Sequence, residues 1–307
     1  GVFMAKILIS DPIAKAGVDL LQKEGHEVVV KKMTPEELVS SIGDYDAIIV
    51  RSATKVTADV IKAGSKLRII GRAGVGLDNV DSNAAKEKGI KVVNTPAATS
   101  ISVAELAIGH MLAASRWIGY GTATMKEGKW EKKVMEGVEL YGKTLGLIGV
   151  GRIGRETAKR AMAFGMEVIA FDPYVSDPGM QGIHMVSKDE LLAKADFISL
   201  HIPLTPETKN ILDKQDFDKC KKGLVLVNCA RGGTVNEEAL YNALKEGKLF
   251  AAGIDVFEKE PPEGVNKLAS LPNVALTPHI GAATEEGQTR AGVQLAEKIA
   301  EFFKEGK

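Results

Sequence analysis

Gly149, Gly151 and Gly154 stand in the spacing G-x-G-x-x-G near the middle of a 307-residue chain, and Asp172 follows 18 residues after the last of them. The flanking sequence fixes what this run can fold into. Thr144–Gly149 is short and apolar, the pattern of a buried strand. Arg152 to Phe164 has helical periodicity and stops at Gly165, a residue that readily ends helices. Glu167–Phe171 reads as a second strand with Asp172 at its carboxyl end. A strand, a glycine turn, a helix and a strand ending in an acid make up the dinucleotide-binding fingerprint in its required setting. Gly149 permits the tight turn, Gly151 lets the backbone approach a pyrophosphate, and Gly154 lets helix and strand pack closely. The helix N-terminus offers unpaired N–H groups and positive potential to the phosphates. The competing reading is a glycine-rich turn that binds nothing.

The same alternation extends to both sides. Ahead of the glycines, strands are predicted at Ala5–Ser10, Glu27–Val30, Asp46–Val50, Arg68–Gly71 and Lys91–Val93. Helical stretches fall between them at Ala14–Lys23, Pro35–Ser40, Ala58–Ala63 and Ser82–Lys88. Behind them, strands are predicted at Asp196–Leu200, Leu224–Asn228, Phe250–Asp255 and Val274–Thr277. Alternation of this kind implies parallel sheets covered by helices, and its length implies two α/β units. The long helical run Ser102–Ser115 joins them, with Asn94–Ala98 as a linker. Val103, Leu106, Ile108, Met111 and Leu112 make that run apolar around much of its circumference, which predicts burial.

Composition excludes several classes. Forty basic side chains balance forty acidic ones, so no global charge points to nucleic acid or to an anionic membrane. No apolar run is long enough to span a bilayer, and the run from Met4 to Ser10 is too short for a signal peptide. Cys220 and Cys229 are too few for a disulfide framework, which fits a reducing cytoplasm, and no Cys/His cluster has metal spacing.

Ligands of open parallel sheets bind at the carboxyl ends of the strands. Four polar residues are placed there: His201, Arg231, Asp255 and His279. Hydride transfer between a nicotinamide and an α-hydroxy acid needs three groups. One is a guanidinium that grips a carboxylate and polarises the neighbouring carbonyl. The second is an acid/base that titrates near neutrality. The third is a carboxylate that orients the imidazole and favours its protonated form. Arg231, His279 and Glu260 supply these groups. Asp172 suits NAD rather than its phosphorylated counterpart, since it can accept ribose hydroxyls and would repel a 2′-phosphate, and Pro173 and Tyr174 bring no cation.

Over essentially its whole length the chain resembles the D-isomer-specific 2-hydroxyacid dehydrogenases. The resemblance rests on Gly149–Gly154, Asn228–Gly233, Asp255–Pro261 and Pro278–Gly281 in their order and separation. It implies an α/β fold of two doubly wound parallel-sheet domains, a Rossmann NAD domain near 98–282 inserted into a flavodoxin-like substrate domain near 1–97 and 283–307. It implies catalytic roles for Arg231, Glu260 and His279, and substrate in the cleft between domains that hinge near 96–98 and 280–283. Arg51, Ser52 and the loop Arg72, Ala73, Gly74, Val75 and Gly76 would face that substrate. Arg152 and Ile153 would cover the pyrophosphate, Asp255 would hold the nicotinamide carboxamide or ring, and Val75, His201, Pro203, Cys229, Ala230 and Gly281 would line the cofactor site. The resemblance implies burial of the Ser102–Ser115 helix between the nucleotide domains of two subunits, in a homodimer or larger homo-oligomer. No metal is implied.

Val50–Thr57, Gly71–Asp81 and Met125–Trp130 are most similar to members that oxidise 3-phosphoglycerate, and the end at Lys307 implies a form without their C-terminal regulatory domain. Reduction of glyoxylate or hydroxypyruvate, and an NAD-sensing corepressor on the same fold, stay open beside this. Among the remaining residues, Cys229 reads as a packed thiol, His110 as a packed or interface histidine, His26 and His184 as surface residues, and Lys126–Lys133 as a solvated face that could serve a phosphate.

Overall fold

Short apolar runs become parallel strands in the computed structural model, which describes residues 3–306. The chain divides into two units, Gly1–Ser100 with Ala282–Lys307, and Ile101–Gly281.

In the first unit, β1 (Lys6–Ile9), β2 (Glu27–Val30), β3 (Ala47–Val50), β4 (Ile69–Arg72) and β5 (Lys91–Asn94) form a parallel sheet in the order β2-β1-β3-β4-β5. That is the flavodoxin-like doubly wound order. Alternate residues of each strand point to opposite faces. Ile7, Ile9 and Ile49 accordingly pack with Leu295, Ile299 and Phe303 of the last helix, Glu285–Lys304, whereas Leu8, Ile48 and Val50 pack with Leu38 and Ile61 on the other side. Burial on both faces is why β1 and β3 read as continuous hydrophobic runs. The last helix is capped by the Thr284 hydroxyl, which accepts from Gly287 N at 2.9 Å. It sits close because its neighbours lack side chains: a Cβ at Gly17 would lie 2.7 Å from the Gly292 carbonyl oxygen, and one at Gly71 2.9 Å from Leu295 Cδ1.

In the second unit, β6 (Thr144–Ile148), β7 (Glu167–Phe171), β8 (Ile183–Met185), β9 (Phe197–Leu200), β10 (Leu224–Asn228), β11 (Leu249–Ile254) and β12 (Val274–Leu276) pair in parallel in the order β12-β11-β10-β9-β6-β7-β8. The order reverses between β6 and β9, the switch point at which ligands of such sheets bind. Ile148, Ile198 and Leu226 face one core, and Leu147, Phe197, Val225 and Val227 face the other.

Two expectations change and one holds: Val103, Ile108 and Met111 of the joining helix are buried, here in the unit's own core. That helix begins at Ser100, two residues early. His26 is buried: its Nδ1 accepts Ala5 N at 3.2 Å and its ring lies 5.6 Å from that of Phe303. His184 and Lys126–Lys133 do carry exposed residues, with Glu131 half-buried. No helix among the described residues is long and apolar enough to cross a membrane.

Candidate active site

The glycine turn is built by exclusion. Gly149 has φ 104°, a conformation costly for side-chain-bearing residues, and a Cβ there would run into the His201 carbonyl. A Cβ at Gly154 would strike the Gly149 carbonyl. At Gly151 a Cβ meets nothing within 4 Å, so the backbone is open to an approaching group at the start of the helix Arg152–Ala163. Exposed Arg152 and half-buried Ile153 form the first turn. Asp172 is held in place: Oδ2 accepts Val150 N at 2.9 Å, and Oδ1 accepts Tyr174 N at 2.8 Å. An acid pinned at this strand end, an open second glycine and a free helix N-terminus fit a dinucleotide.

His201 supports the turn from below. Its Nε2 lies 2.8 Å from Ser199 Oγ, and burial holds its pKa down to about 3, so the ring is neutral. Pro203 is exposed, and its carbonyl accepts the Thr208 hydroxyl at 2.6 Å.

The acid, the base and the guanidinium sit on three loops of this unit. His279 Nδ1 lies 2.5 Å from Glu260 Oε2, and the imidazole is 45% exposed, open to a reactant. The other carboxylate oxygen, Glu260 Oε1, accepts Phe257 N at 2.9 Å. Burial opposes ionisation of Glu260, but the hydrogen bonds from His279 and Phe257, with the charges of His279 and Arg231, outweigh it and hold its pKa below the ordinary value. The carboxylate is therefore ionised at neutral pH. Arg231 Nη1 donates to the Ala230 carbonyl at 2.8 Å. Buried Asn228 braces this turn: its Oδ1 accepts Ala230 N at 3.0 Å, and its Nδ2 donates to the Arg231 carbonyl at 3.2 Å. Gly232 brings the arginine turn against the acid loop, because a Cβ there would collide with the Phe257 carbonyl. Neither Asn228 nor Gly232 was singled out by sequence; only their place beside Arg231 could have drawn attention to them.

Two further residues of the expected cofactor site, Asp255 and Cys229, are buried. Asp255 is 0% exposed, and its carboxylate is taken up by its own chain: Oδ1 by the Thr277 hydroxyl at 2.7 Å and Ile280 N at 2.8 Å, Oδ2 by Gly281 N at 3.0 Å. It braces the turn that carries His279. Cys229 is buried, and burial pushes its thiol well above the ordinary range, so it is no nucleophile. Among the described residues, no group of three or more His, Cys, Asp or Glu could hold a metal ion.

In the first unit, β3 and β4 are neighbours with Val50 opposite Arg72, so Arg51 and Arg72 emerge at one sheet edge. Asp11 fixes the Arg51–Thr54 loop, accepting Arg51 N at 2.8 Å and Thr54 N at 2.9 Å. Ser52 is exposed on it. The loop after β4 is tied down by Thr95, whose hydroxyl accepts Gly74 N at 2.8 Å, and by Asn94, which donates to the Val75 carbonyl at 2.6 Å. Ala73 and Gly74 are buried, whereas Val75 and Gly76 are partly exposed.

Comparisons with known proteins agree with this architecture. A family model described as D-isomer specific 2-hydroxyacid dehydrogenase, NAD binding domain, matches residues 108–281. A hydroxypyruvate reductase from Thermotoga maritima is 54% identical over 303 residues, 98% of each chain. A D-3-phosphoglycerate dehydrogenase from Methanocaldococcus jannaschii is 52% identical over 98% of this chain but 58% of its own, so this chain spans just over half of that relative. Among solved structures, the TT0316 protein of Thermus thermophilus superposes with a TM-score of 0.90 at 36% identity, covering 98% of this chain and 97% of that one. An NAD-dependent formate dehydrogenase from Staphylococcus aureus in complex with NAD does so with 0.86 at 32%, covering 98% and 96%. The chain belongs to the D-isomer-specific 2-hydroxyacid dehydrogenases and is an NAD-dependent enzyme of that family.

Proposed function

We propose that the chain interconverts 3-phosphoglycerate and 3-phosphohydroxypyruvate, the first step of serine biosynthesis, with His279 as acid/base, Glu260 as its partner and Arg231 on the substrate carboxylate. NAD, when bound, supplies the hydride acceptor for the oxidation. The observation that carries the reading is the His279–Glu260 pair. The carboxylate meets Nδ1 and leaves Nε2 to give a proton to the forming hydroxyl in reduction or to take one in oxidation. The guanidinium of Arg231 grips the carboxylate and draws electron density from the adjacent carbonyl.

The phosphate is the reason to prefer this substrate. A second, doubly charged group needs further cations, and Arg51 and Arg72 emerge at one edge of their sheet. Relatives named D-3-phosphoglycerate dehydrogenase at 52% and 50% identity support the choice. A reductase reading has its own support in the hydroxypyruvate reductase relative, which matches over 98% of both chains. Arg51→Ala and Arg72→Ala separate the two. Charge-assisted bonds are worth about 1.5–3 kcal/mol each, so each change should cut kcat/KM for phosphohydroxypyruvate about 10–100-fold while sparing hydroxypyruvate. Equal loss on both compounds, or a wild type that prefers hydroxypyruvate or glyoxylate, moves the chain to the reductase branch.

We also assign the protein to the cytoplasm as a homodimer. The two cysteines are free thiols. Ile118, Met125, Trp130 and Val134 remain exposed in the second unit, and apolar side chains of this kind are what a contact between two copies would cover.

A further inference from the structure

We propose that His110 and Thr277 are positioning residues for catalysis: with Asp255 they form a buried hydrogen-bonded chain that holds the His279 turn, an inference that rests on His279 being the acid/base. The chain runs from His110 Nε2 to Thr277 Oγ1 at 2.7 Å, and from Thr277 Oγ1 to Asp255 Oδ1 at 2.7 Å. From Asp255 it reaches Ile280 N at 2.8 Å and Gly281 N at 3.0 Å. His110 is 3% exposed and Asp255 is 0% exposed.

Thr277 Oγ1 donates its one hydroxyl proton to Asp255 Oδ1. Thr277 must then accept from His110, which places a proton on Nε2. Burial lowers the pKa of His110 against the opposing charge of Asp255, so the ring carries that single proton and Nδ1 is bare. The structure agrees, since Nδ1 is buried with no hydrogen-bond partner. Leaving a buried acceptor unpaired is costly. The ring is seated all the same, and β11 makes room for it: a Cβ at Gly253 would lie 2.6 Å from His110 Cβ.

What the chain holds is a strained turn. His279 has φ 51°, a left-handed conformation that residues other than glycine adopt at a cost. Its N donates to the Asp255 carbonyl at 2.9 Å, and the next two amides are the ones that the Asp255 carboxylate accepts. Gly281 leaves no slack, because a Cβ there would be 3.3 Å from Asp255 Oδ2. Asp255 thus sets the turn, and Thr277 with His110 sets the carboxylate. Glu260 meets the same imidazole at Nδ1. Ring orientation depends on both supports, and small misplacements of reacting groups cost rate heavily.

The test is steady-state reduction by NADH of the faster of phosphohydroxypyruvate and hydroxypyruvate, with His110→Leu, His110→Gln and Thr277→Val made in the wild type and in His279→Ala. His110→Leu should lower kcat about 10–100-fold with KM for NADH within about two-fold. His110→Gln keeps a side-chain N–H donor and should recover most of the loss. Thr277→Val should match His110→Leu and carries the test if the leucine variant does not fold. In the His279→Ala background neither change should lower kcat further, since coupled residues are non-additive. Wild-type kcat in both His110→Leu and Thr277→Val, with His279→Ala crippled, overturns this inference alone. A loss that multiplies in the His279→Ala background also overturns it. An active His279→Ala overturns the reading on which it rests.

Discussion

At the residue scale the account turns on one carboxylate–imidazole pair. Glu260 is ionised because the donors around it outweigh its partial burial. Its pKa in the fold lies below its unfolded value, so the stability it lends is present at neutral pH and is lost as pH falls through the folded value. Glu260→Gln removes the charge that meets the imidazole at Nδ1. Turnover in reduction should fall about 10–100-fold with NADH affinity nearly unchanged. Wild-type turnover would mean that Glu260 does not act on His279. Arg231 and His279 stand out in the sequence because each follows a strand end, and Glu260 because hydride chemistry asks for a carboxylate beside the imidazole; the structure brings His279 to Glu260. The setting of Asp255 was not legible. Its three donors are Thr277, Ile280 and Gly281, and only the folded turn brings them to it. His26 misled for the same reason: its sequence neighbours are Gly25 and Glu27, yet Phe303 covers it from the far end of the chain.

At the element scale the strands were legible where burial on both faces forces a continuous apolar run. Leu224–Asn228, buried throughout, has the bounds read from sequence, and so does the edge strand Glu27–Val30, whose two end residues are exposed. β8 escaped because three residues, Ile183–Met185, carry too short a pattern. Close approaches between elements escaped too, since a glycine such as Gly232 looks like any loop glycine. Its place is now specific: a Cβ would drive the Arg231 turn off the Phe257 carbonyl. Gly232→Ala should therefore separate Arg231 from Glu260. Overpacking costs typically about 1–3 kcal/mol, and ångström-scale misplacement costs about 100-fold in rate. A lower denaturant midpoint and a kcat about 100-fold down are the expected results. Wild-type values of both would show that the two loops tolerate separation.

At the scale of the whole molecule, the two units were legible because the strand–helix alternation runs on both sides of the glycine turn. Assembly was less so. Val103, Ile108 and Met111 of the joining helix lie in the unit's own core, and exposed apolar residues of the unit include Ile118, Met125, Trp130 and Val134. Light scattering at micromolar concentration should give twice the 32.7 kDa chain mass; the mass of one chain would contradict the dimer. The central claim is that His279, held by Glu260, moves the proton that accompanies hydride transfer. The most direct test follows NADH absorbance with a 2-oxo acid for the wild type and for His279→Ala, alongside NADH binding. Loss of acid/base help should lower turnover about 10²–10⁴-fold, with NADH affinity nearly unchanged. Turnover by His279→Ala at the wild-type rate would contradict the account.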